Sequence, residues 1–214
     1  MTIIEEISEA IEKGKVKIVK ELVPAAIEQG HSAQEILNDG LLHGMSIVGD
    51  RFTRNEAFVP EVLVSARAMN KGTELLKPLL AAEGSQPIGK VCIGTVQGDL
   101  HDIGKNLVKL MLESKNIEVI DLGVDVPPEK FVQTVIDEKC DICCCSSLLT
   151  TTMPMMEEVV KAMKAAGIRN QVKIMVGGAP VTQEYCDQIG ADYYTDDGAS
   201  CANKAKEILL AKAQ

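Results

Sequence analysis

Residues 98–106 of this chain have the sequence Gly98-Asp99-Leu100-His101-Asp102-Ile103-Gly104-Lys105-Asn106. It follows an apolar run, Val91 to Val96, and precedes a pattern of apolar residues with helical spacing. A loop between a buried strand and a helix is where α/β proteins place ligand chemistry. Because this loop contains an imidazole, two carboxylates and two flanking glycines, it predicts a binding site at the end of a strand.

Two nucleotide-binding patterns do not match the stretch. A Walker phosphate loop needs four residues between its glycines and a Ser or Thr after the Lys. Here five residues separate Gly98 from Gly104, and Asn106 follows Lys105. The G-x-G-x-x-G spacing of dinucleotide-binding folds is also missing. The stretch is therefore not typical of a nucleotide site.

His101 is a candidate metal ligand. A ligating imidazole usually donates its other ring N–H to a carboxylate, and Asp99 lies two residues before it. One His and one Asp cannot make a zinc site, which uses three or four protein ligands. A metal held in a macrocycle needs only an axial ligand, and Gly104 leaves room for such a bulky group. The alternative interpretation of the same spacing is a loop histidine that is solvated or caps the following helix.

Three separated motifs resemble the signature of cobalamin-binding domains: Asp99-x-His101-x-x-Gly104, Ser146-x-Leu148 and Gly177-Gly178. Their order and spacing are similar to those of the methylcobalamin module of methionine synthase. The segment around Phe58-Val59-Pro60-Glu61 resembles the helical cap of that module. The chain as a whole resembles the stand-alone corrinoid proteins of anaerobic methyltransferase systems, which serve methylamines, methanol, betaines or methoxylated aromatics.

The resemblance implies that His101 is the axial ligand of cobalt and that Asp99 orients it. It implies further corrinoid contacts from the same loop and from the other two motifs, namely Gly98, Asp102, Ile103, Gly104, Ser146, Leu148, Thr150, Thr152, Gly177 and Gly178. Apolar side chains of the helical cap would cover the reactive upper face of the corrin, and Phe58 and Val62 are the candidates for this role.

Some of these residues have a more specific expected role. By resemblance, Ser146 and Thr150 would hydrogen-bond the nucleotide tail of the corrinoid, and Thr152 stands where methionine synthase has the serine of its Asp–His relay. Gly177-Gly178 would let the planar base of the tail lie against the backbone. A strand-end turn that needs a positive φ explains the same two glycines without a ligand.

The resemblance implies a methyl carrier rather than an enzyme that is active alone. The cobalt of a cobalamin or related corrinoid would accept a methyl group from a substrate-specific methyltransferase, cycling between Co(I) and methyl-Co(III). A second methyltransferase would pass the methyl group to tetrahydrofolate or coenzyme M, and a reductive activase is the third expected partner. The alternative is a cobalamin-dependent sensor or regulatory module, but such a regulator should add a basic DNA-binding segment that this sequence does not show.

Composition narrows the class of protein. The net charge of −9 argues against nucleic acids and anionic membranes as partners, because both attract basic surfaces. The acidic N-terminus is not a signal peptide, and no apolar run approaches the ~18 residues of a membrane span. We therefore expect a cytoplasmic protein. The chain has seven cysteines, four of them within 140–145, and these are expected to be small buried apolar side chains of a strand.

The order of elements predicts a two-domain, α plus α/β fold. Residues 1–83 show four amphipathic helices with short connections, which is typical of a helical-bundle cap. Residues 84–89 are rich in Gly, Ser and Pro and predict a linker or hinge. Residues 90–214 alternate strands and helices, which predicts a Rossmann-like, flavodoxin-like domain with a doubly wound five-stranded parallel sheet. The predicted strands lie near 90–96, 117–121, 141–146, 172–176 and 192–195, and the predicted helices between and after them near 104–115, 127–139, 153–166, 181–189 and 198–212.

Overall fold

The computed structural model describes residues 1–84 and 86–212 of the chain. The chain divides into two compact units. The first comprises Met1–Pro87 with Ser114–Asn116, and the second comprises Ile88–Glu113 with the chain from Ile117 onward. The predicted linker over 84–89 includes Ser85, which lies outside the described residues, so the linker stays a prediction.

The first unit is helical. Its helices are α1 (Ile3–Glu12), α2 (Val16–Glu28), α3 (Ala33–Glu35), α4 (His43–Thr53) and α5 (Val59–Ala82). Thr2 begins α1 with a capping box, because its hydroxyl accepts from the Glu5 amide and its amide donates to the Glu5 carboxylate. The helices bury a shared apolar core that includes Ile7, Ile11, Val19, Val23, Ile36, Leu41, Met45, Met69 and Leu76. Within the described residues, α3 and α4 belong to one continuous helix, so the predicted four-helix arrangement is confirmed.

The third helix of this unit is not uniformly α-helical. Between α3 and α4 the segment Ile36–Leu42 forms a π-helix, with wider turns and i→i+5 hydrogen bonds. Gly40 and Gly44, in and after this segment, lie against α1, and a Cβ on Gly44 would lie 2.5 Å from the Ser8 carbonyl oxygen. The apolar pattern predicted a helix here but not its type, because a short π-segment changes hydrogen-bond partners more than it changes the pattern of buried residues.

The second unit is a five-stranded parallel sheet. Its strands are β1 (Lys90–Thr95), β2 (Glu118–Asp121), β3 (Ile142–Ser146), β4 (Lys173–Gly177) and β5 (Tyr193–Tyr194), in the order β2-β1-β3-β4-β5. Its helices are α6 (Ile103–Glu113), α7 (Pro128–Glu138), α8 (Pro154–Ala165), α9 (Gln183–Ile189) and α10 (Gly198–Lys212). Helix α6 packs with α10, and α7 packs with α8. This is the doubly wound, flavodoxin-like order that the sequence predicted.

All seven cysteines are buried and none forms a disulfide. Cys143, Cys144 and Cys145 lie in the central strand β3, and Cys92 is the register partner of Cys143 on β1. The side chains of Cys92, Cys143 and Cys145 lie in the same apolar core cluster as Phe131 and Met156. The expected role of the cysteines as core side chains is confirmed.

The strand order fixes where a ligand can bind. The chain leaves β1 toward β2 on one side and leaves β3 toward β4 on the other, so the loops after β1 and β3 separate at the carboxyl edge of the sheet. Such a crevice is the usual ligand position in open α/β sheets. Among the described residues, no helix is both long and apolar enough to cross a membrane.

Candidate functional site

The loop after β1 holds His101 beside a fully buried carboxylate. The ring Nδ1 of His101 lies 2.7 Å from Asp99 Oδ1, and the His101 amide donates to the same oxygen at 3.1 Å. The Asp99 side chain has no exposed surface, whereas the His101 side chain is 52% exposed. An ionised Asp99 can only accept, so Nδ1 carries the proton and the lone pair of a neutral imidazole is on Nε2. That nitrogen is available to a metal.

The other oxygen of Asp99 is held by the loop after β3. Oδ2 accepts from the Leu148 amide at 2.8 Å, from the Leu149 amide at 3.3 Å and from the Thr152 hydroxyl at 2.9 Å. Burial alone would raise the pKa of Asp99, but the hydrogen bonds from His101, Leu148 and Thr152 outweigh it and hold the pKa well below its usual range. Asp99 is therefore a fixed negative charge that joins the loops after β1 and β3.

Ser147 is a member of this network that the sequence analysis did not identify. Its side chain is fully buried, and its Oγ lies 2.8 Å from Thr152 Oγ1 and 3.1 Å from the Leu149 carbonyl oxygen. Thr152 Oγ1 is also 3.0 Å from that carbonyl. Each hydroxyl has one hydrogen to donate, and the Leu149 carbonyl is an alternative acceptor for both. A Ser147→Thr152→Asp99 chain of donors stabilises the carboxylate.

Thr95, the last residue of β1, was also missed. It is fully buried, and its hydroxyl donates to the His101 carbonyl oxygen at 2.8 Å. Together with the Asp99 hydrogen bond to the His101 amide, this fixes the backbone of His101 on both sides. The sequence gives no signal for this role, because a buried Thr at a strand end is as often a packing residue.

A buried ion pair holds the start of α6. Lys105, which is 3% exposed, donates from Nζ to Asp121 Oδ1 at 2.6 Å and to Asn106 Oδ1 at 2.8 Å. Burial opposes the ionised form of Asp121, but Lys105 and the Gly123 amide lower its pKa below the usual value. The pair joins the first turn of α6 to the end of β2 and so supports the loop that carries His101.

A cavity of about 240 Å³ opens beside His101. It is lined by the loop after β1 and by the end of β3, including Gly104, Ser146 and Leu148. Apolar side chains around it face solvent: Leu100 is 71% exposed, Ile103 77% and Leu148 43%. Exposed apolar side chains grouped at a concave site are typical of a surface that a ligand covers.

Glycines in the site differ in what surrounds them. A Cβ on Gly104 would meet no atom within 4 Å, so this residue leaves open space beside the cavity. At Gly178, φ is +138° and a Cβ would lie 1.8 Å from the Ser147 carbonyl oxygen. The protein backbone itself therefore requires glycine at 178, which supports the strand-end explanation. Gly177 ends β4, and its carbonyl accepts from the Ser147 amide at 3.2 Å.

The remaining residues with a predicted role lie in different environments. Ser146 is half-buried at the end of β3, whereas Thr150 and Asp102 are exposed. The Asp102 carboxylate accepts from the Asn106 side chain at 3.1 Å at the start of α6. Gly98 has a φ of +83° in the turn before Asp99.

The two candidate cap residues belong to the helical unit. Phe58 precedes α5 and is 67% exposed, whereas Val62 is fully buried in the helical core. Phe58 therefore presents an apolar surface to solvent, and its covering role stays a prediction. Val62 differs from the expectation, because its position on the inner face of α5 directs the side chain into the core.

The donor set suits a metal that brings its own equatorial ligands. Among the described residues, no group of three or more His, Cys, Asp or Glu side chains is arranged to hold a metal ion. One exposed imidazole with its Nε2 available, open space at Gly104 and exposed apolar side chains on Leu100 and Ile103 instead match a large, largely apolar macrocycle with one open axial position. The residues present fit a corrinoid.

Comparison with known proteins gives the same result. The sequence model of the B12 binding domain matches residues 89–202, and a second B12 binding domain model matches residues 3–77. The chain is 40% identical over 209 residues to dimethylamine corrinoid protein 1 of Methanosarcina acetivorans. This alignment covers 96% of this chain and 98% of the relative. It is 40% identical over 210 residues to trimethylamine corrinoid protein 1 of the same organism, with 97% of each chain covered.

A solved structure extends the likeness to the fold. A chain of the methanol:cobalamin methyltransferase complex from Methanosarcina barkeri matches with a TM-score of 0.89 and 33% identity, covering 97% of this chain and 80% of that one. The matches include both the sheet unit with its Asp99–His101 pair and the helical unit before it. The chain belongs to the B12-binding corrinoid protein family.

Proposed function

We propose that this chain binds a corrinoid through His101 and carries a methyl group on it between two methyltransferases. The observation that carries the proposal is the Asp99–His101 pair, in which a buried carboxylate 2.7 Å from Nδ1 leaves Nε2 available at the edge of an open cavity. The near full-length similarity to methylamine corrinoid proteins supports the same function.

The chain's own residues have defined tasks in this proposal. Asp99 accepts a hydrogen bond from the Nδ1–H of His101 and so keeps the Nε2 lone pair directed outward. Leu100, Ile103 and Leu148 give the macrocycle an apolar surface, and Gly104 leaves it room. The hydroxyls of Ser147 and Thr152 hold the Asp99 carboxylate and exclude water from it. When bound, the corrinoid supplies the cobalt that accepts and gives up the methyl group.

Loading of the methyl group, its onward transfer and reductive activation are assigned to separate partner proteins. We infer a substrate-specific methyltransferase that loads the methyl group, a second methyltransferase that transfers it to tetrahydrofolate or coenzyme M, and a reductive activase. The methanol:cobalamin methyltransferase complex supports the first of these, because it pairs a related chain with a methyltransferase. The identity of the methyl donor is expected to be set by the loading enzyme.

The visible spectrum of the cobalamin-reconstituted protein tests the proposal. We expect stoichiometric binding and the spectrum of cobalamin whose lower ligand is a protein imidazole. His101→Ala should lose that signature, since no other residue of the site offers an imidazole. His43→Ala is the matched control, because His43 is an exposed histidine of the helical unit. A wild-type protein that binds no corrinoid would refute the proposal.

A further inference from the structure

Asp125, in the loop between β2 and α7, has a backbone conformation that is unusual for a residue with a side chain. Its φ is +53°, in the left-handed region where a Cβ is crowded by the carbonyl oxygen. Aspartate and asparagine tolerate this region better than most residues, and glycine does so without strain. The side chain is exposed, so burial of apolar surface does not explain why the strain is accepted.

The hydrogen bonds of Asp125 explain why its strained backbone conformation is accepted, because they hold the backbone at Gly98 and Asp99. The carboxylate Oδ1 of Asp125 accepts from the Gly98 amide at 2.7 Å. The Asp125 amide donates to the Asp99 carbonyl oxygen at 3.0 Å. One residue of the loop after β2 therefore holds the Gly98 amide, one residue before Asp99, and the carbonyl group of Asp99 itself.

The loop that carries Asp125 is itself fixed to the end of β1. The Thr95 amide donates to the Gly123 carbonyl at 3.0 Å, and the Val126 amide donates to the Thr95 carbonyl at 3.0 Å. An isolated parallel bridge joins Val96 to Val126. Because these bonds flank Asp125 on both sides, its side chain can act as a rigid support rather than as part of a loose turn.

We propose that Asp125 is a positioning residue that sets the direction of the Asp99 carboxylate and, through it, the direction of His101 Nε2 toward the cobalt. This rests on the proposed function, in which His101 is the axial ligand. The chain of contacts runs from Asp125 to the Gly98 and Asp99 peptides, and from the Asp99 carboxylate to the imidazole at 2.7 Å. A shift of the Asp99 backbone would turn the imidazole away without removing any residue that touches the corrinoid.

Residue 125 needs both tolerance of the left-handed backbone conformation and a side-chain hydrogen-bond acceptor. Substitutions can test these two properties separately. Asp125→Asn keeps tolerance of the left-handed conformation and keeps the Oδ1 acceptor. Asp125→Gly keeps the conformation and removes the acceptor. Asp125→Ala removes the acceptor and adds strain. The proposal predicts that Asn preserves His101 ligation and that Gly does not, even though Gly is the less strained residue.

The test uses full-length protein labelled with ¹⁵N-histidine, reconstituted with cobalamin and reduced to cobalt(II). In the electron paramagnetic resonance spectrum a ¹⁵N axial ligand from the protein gives a doublet splitting, and the unlabelled base of the cofactor gives a triplet. Once unbound cobalamin has been removed by gel filtration, the ratio of the two counts only cobalt that is bound, so a variant that is merely less stable leaves it unchanged. For Asp125→Gly we expect a drop of roughly tenfold in the doublet-to-triplet ratio, as for other residues that orient a metal ligand. Asp125→Asn should retain the wild-type ratio.

The outcomes separate this inference from the proposed function. A doublet of wild-type strength in Asp125→Gly would overturn the role of Asp125 and leave His101 as the ligand. Equal losses in the Asn and Gly variants would also overturn it, because Asn retains the acceptor. A wild-type protein without any doublet would refute His101 ligation, and the positioning role with it.

Discussion

At the scale of single residues, Asp99 decides which nitrogen of His101 can bind a metal. As a carboxylate it can only accept, so Nδ1 must be the protonated nitrogen. In Asp99→Asn the amide can donate to Nδ1 instead, and the neutral imidazole then carries its proton on Nε2. We expect corrinoid binding through His101 to weaken by roughly tenfold to a hundredfold, as measured by titration of the apoprotein with cobalamin.

Asp137→Asn is the control for this prediction. Asp137 belongs to α7, is exposed, and accepts from the Gln133 side chain rather than from an imidazole. An Asp99→Asn protein that bound cobalamin with wild-type affinity and the wild-type spectrum would show that the carboxylate does not select the tautomer.

At the scale of elements, substitution by alanine should have opposite effects on the free energy of unfolding at Gly178 and at Gly104. Gly178→Ala should lower the free energy of unfolding by about 2 kcal/mol or more, since φ is +138° and the new Cβ meets the Ser147 backbone. Gly104→Ala should leave it unchanged or raise it by up to about 1 kcal/mol, because the position is in α6 and faces open space. Denaturant unfolding of the apoproteins measures both values.

Cobalamin binding then distinguishes the roles of the two glycines. Gly104→Ala fills space beside the cavity, so we expect weaker cobalamin binding from a protein that is at least as stable as the wild type. A Gly104→Ala protein with unchanged affinity would mean that the corrinoid does not use this space.

At the scale of the whole molecule, the Asp99 charge links stability to pH. The pKa of Asp99 is held below its usual value in the folded protein, so its ionised form stabilises the fold above the unfolded pKa, near about 4. That contribution is lost as the pH falls from about 4 toward the lower folded pKa. We expect the difference in free energy of unfolding between wild type and Asp99→Asn to shrink as the pH falls from about 6 to about 3. A difference that is constant over this range would contradict the prediction.

Much of the architecture could be predicted because it follows from local patterns. Apolar runs bounded by loops gave the five strands, and their alternation with helices gave the parallel sheet. The strand β5 is shorter than its apolar pattern suggested, at Tyr193–Tyr194. The π-segment Ile36–Leu42 was missed, because its hydrogen bonding leaves no distinct signal in a short run of sequence.

The residues that support the site were harder to predict, because they lie at or after the ends of three different strands. Thr95, Asp125 and Ser147 act through hydrogen bonds whose partners are fixed only when the sheet has formed. The motif resemblance identified Asp99 and His101, and it gave no role to these three residues. Val62 was assigned to a covering surface by resemblance to the helical cap of the family, but its side chain is fully buried in the core.

Because the cysteines are buried, their rate of alkylation reports how readily the surrounding structure opens. All seven lie in the second unit, and the first has none. An alkylating reagent added to the native protein therefore reacts only when the second unit opens locally or globally, at a rate that depends on how readily it opens. Fraying of the helical unit adds no alkylated cysteine. The extent of alkylation, measured by mass spectrometry, would therefore report the opening of the second unit alone, without any engineered label.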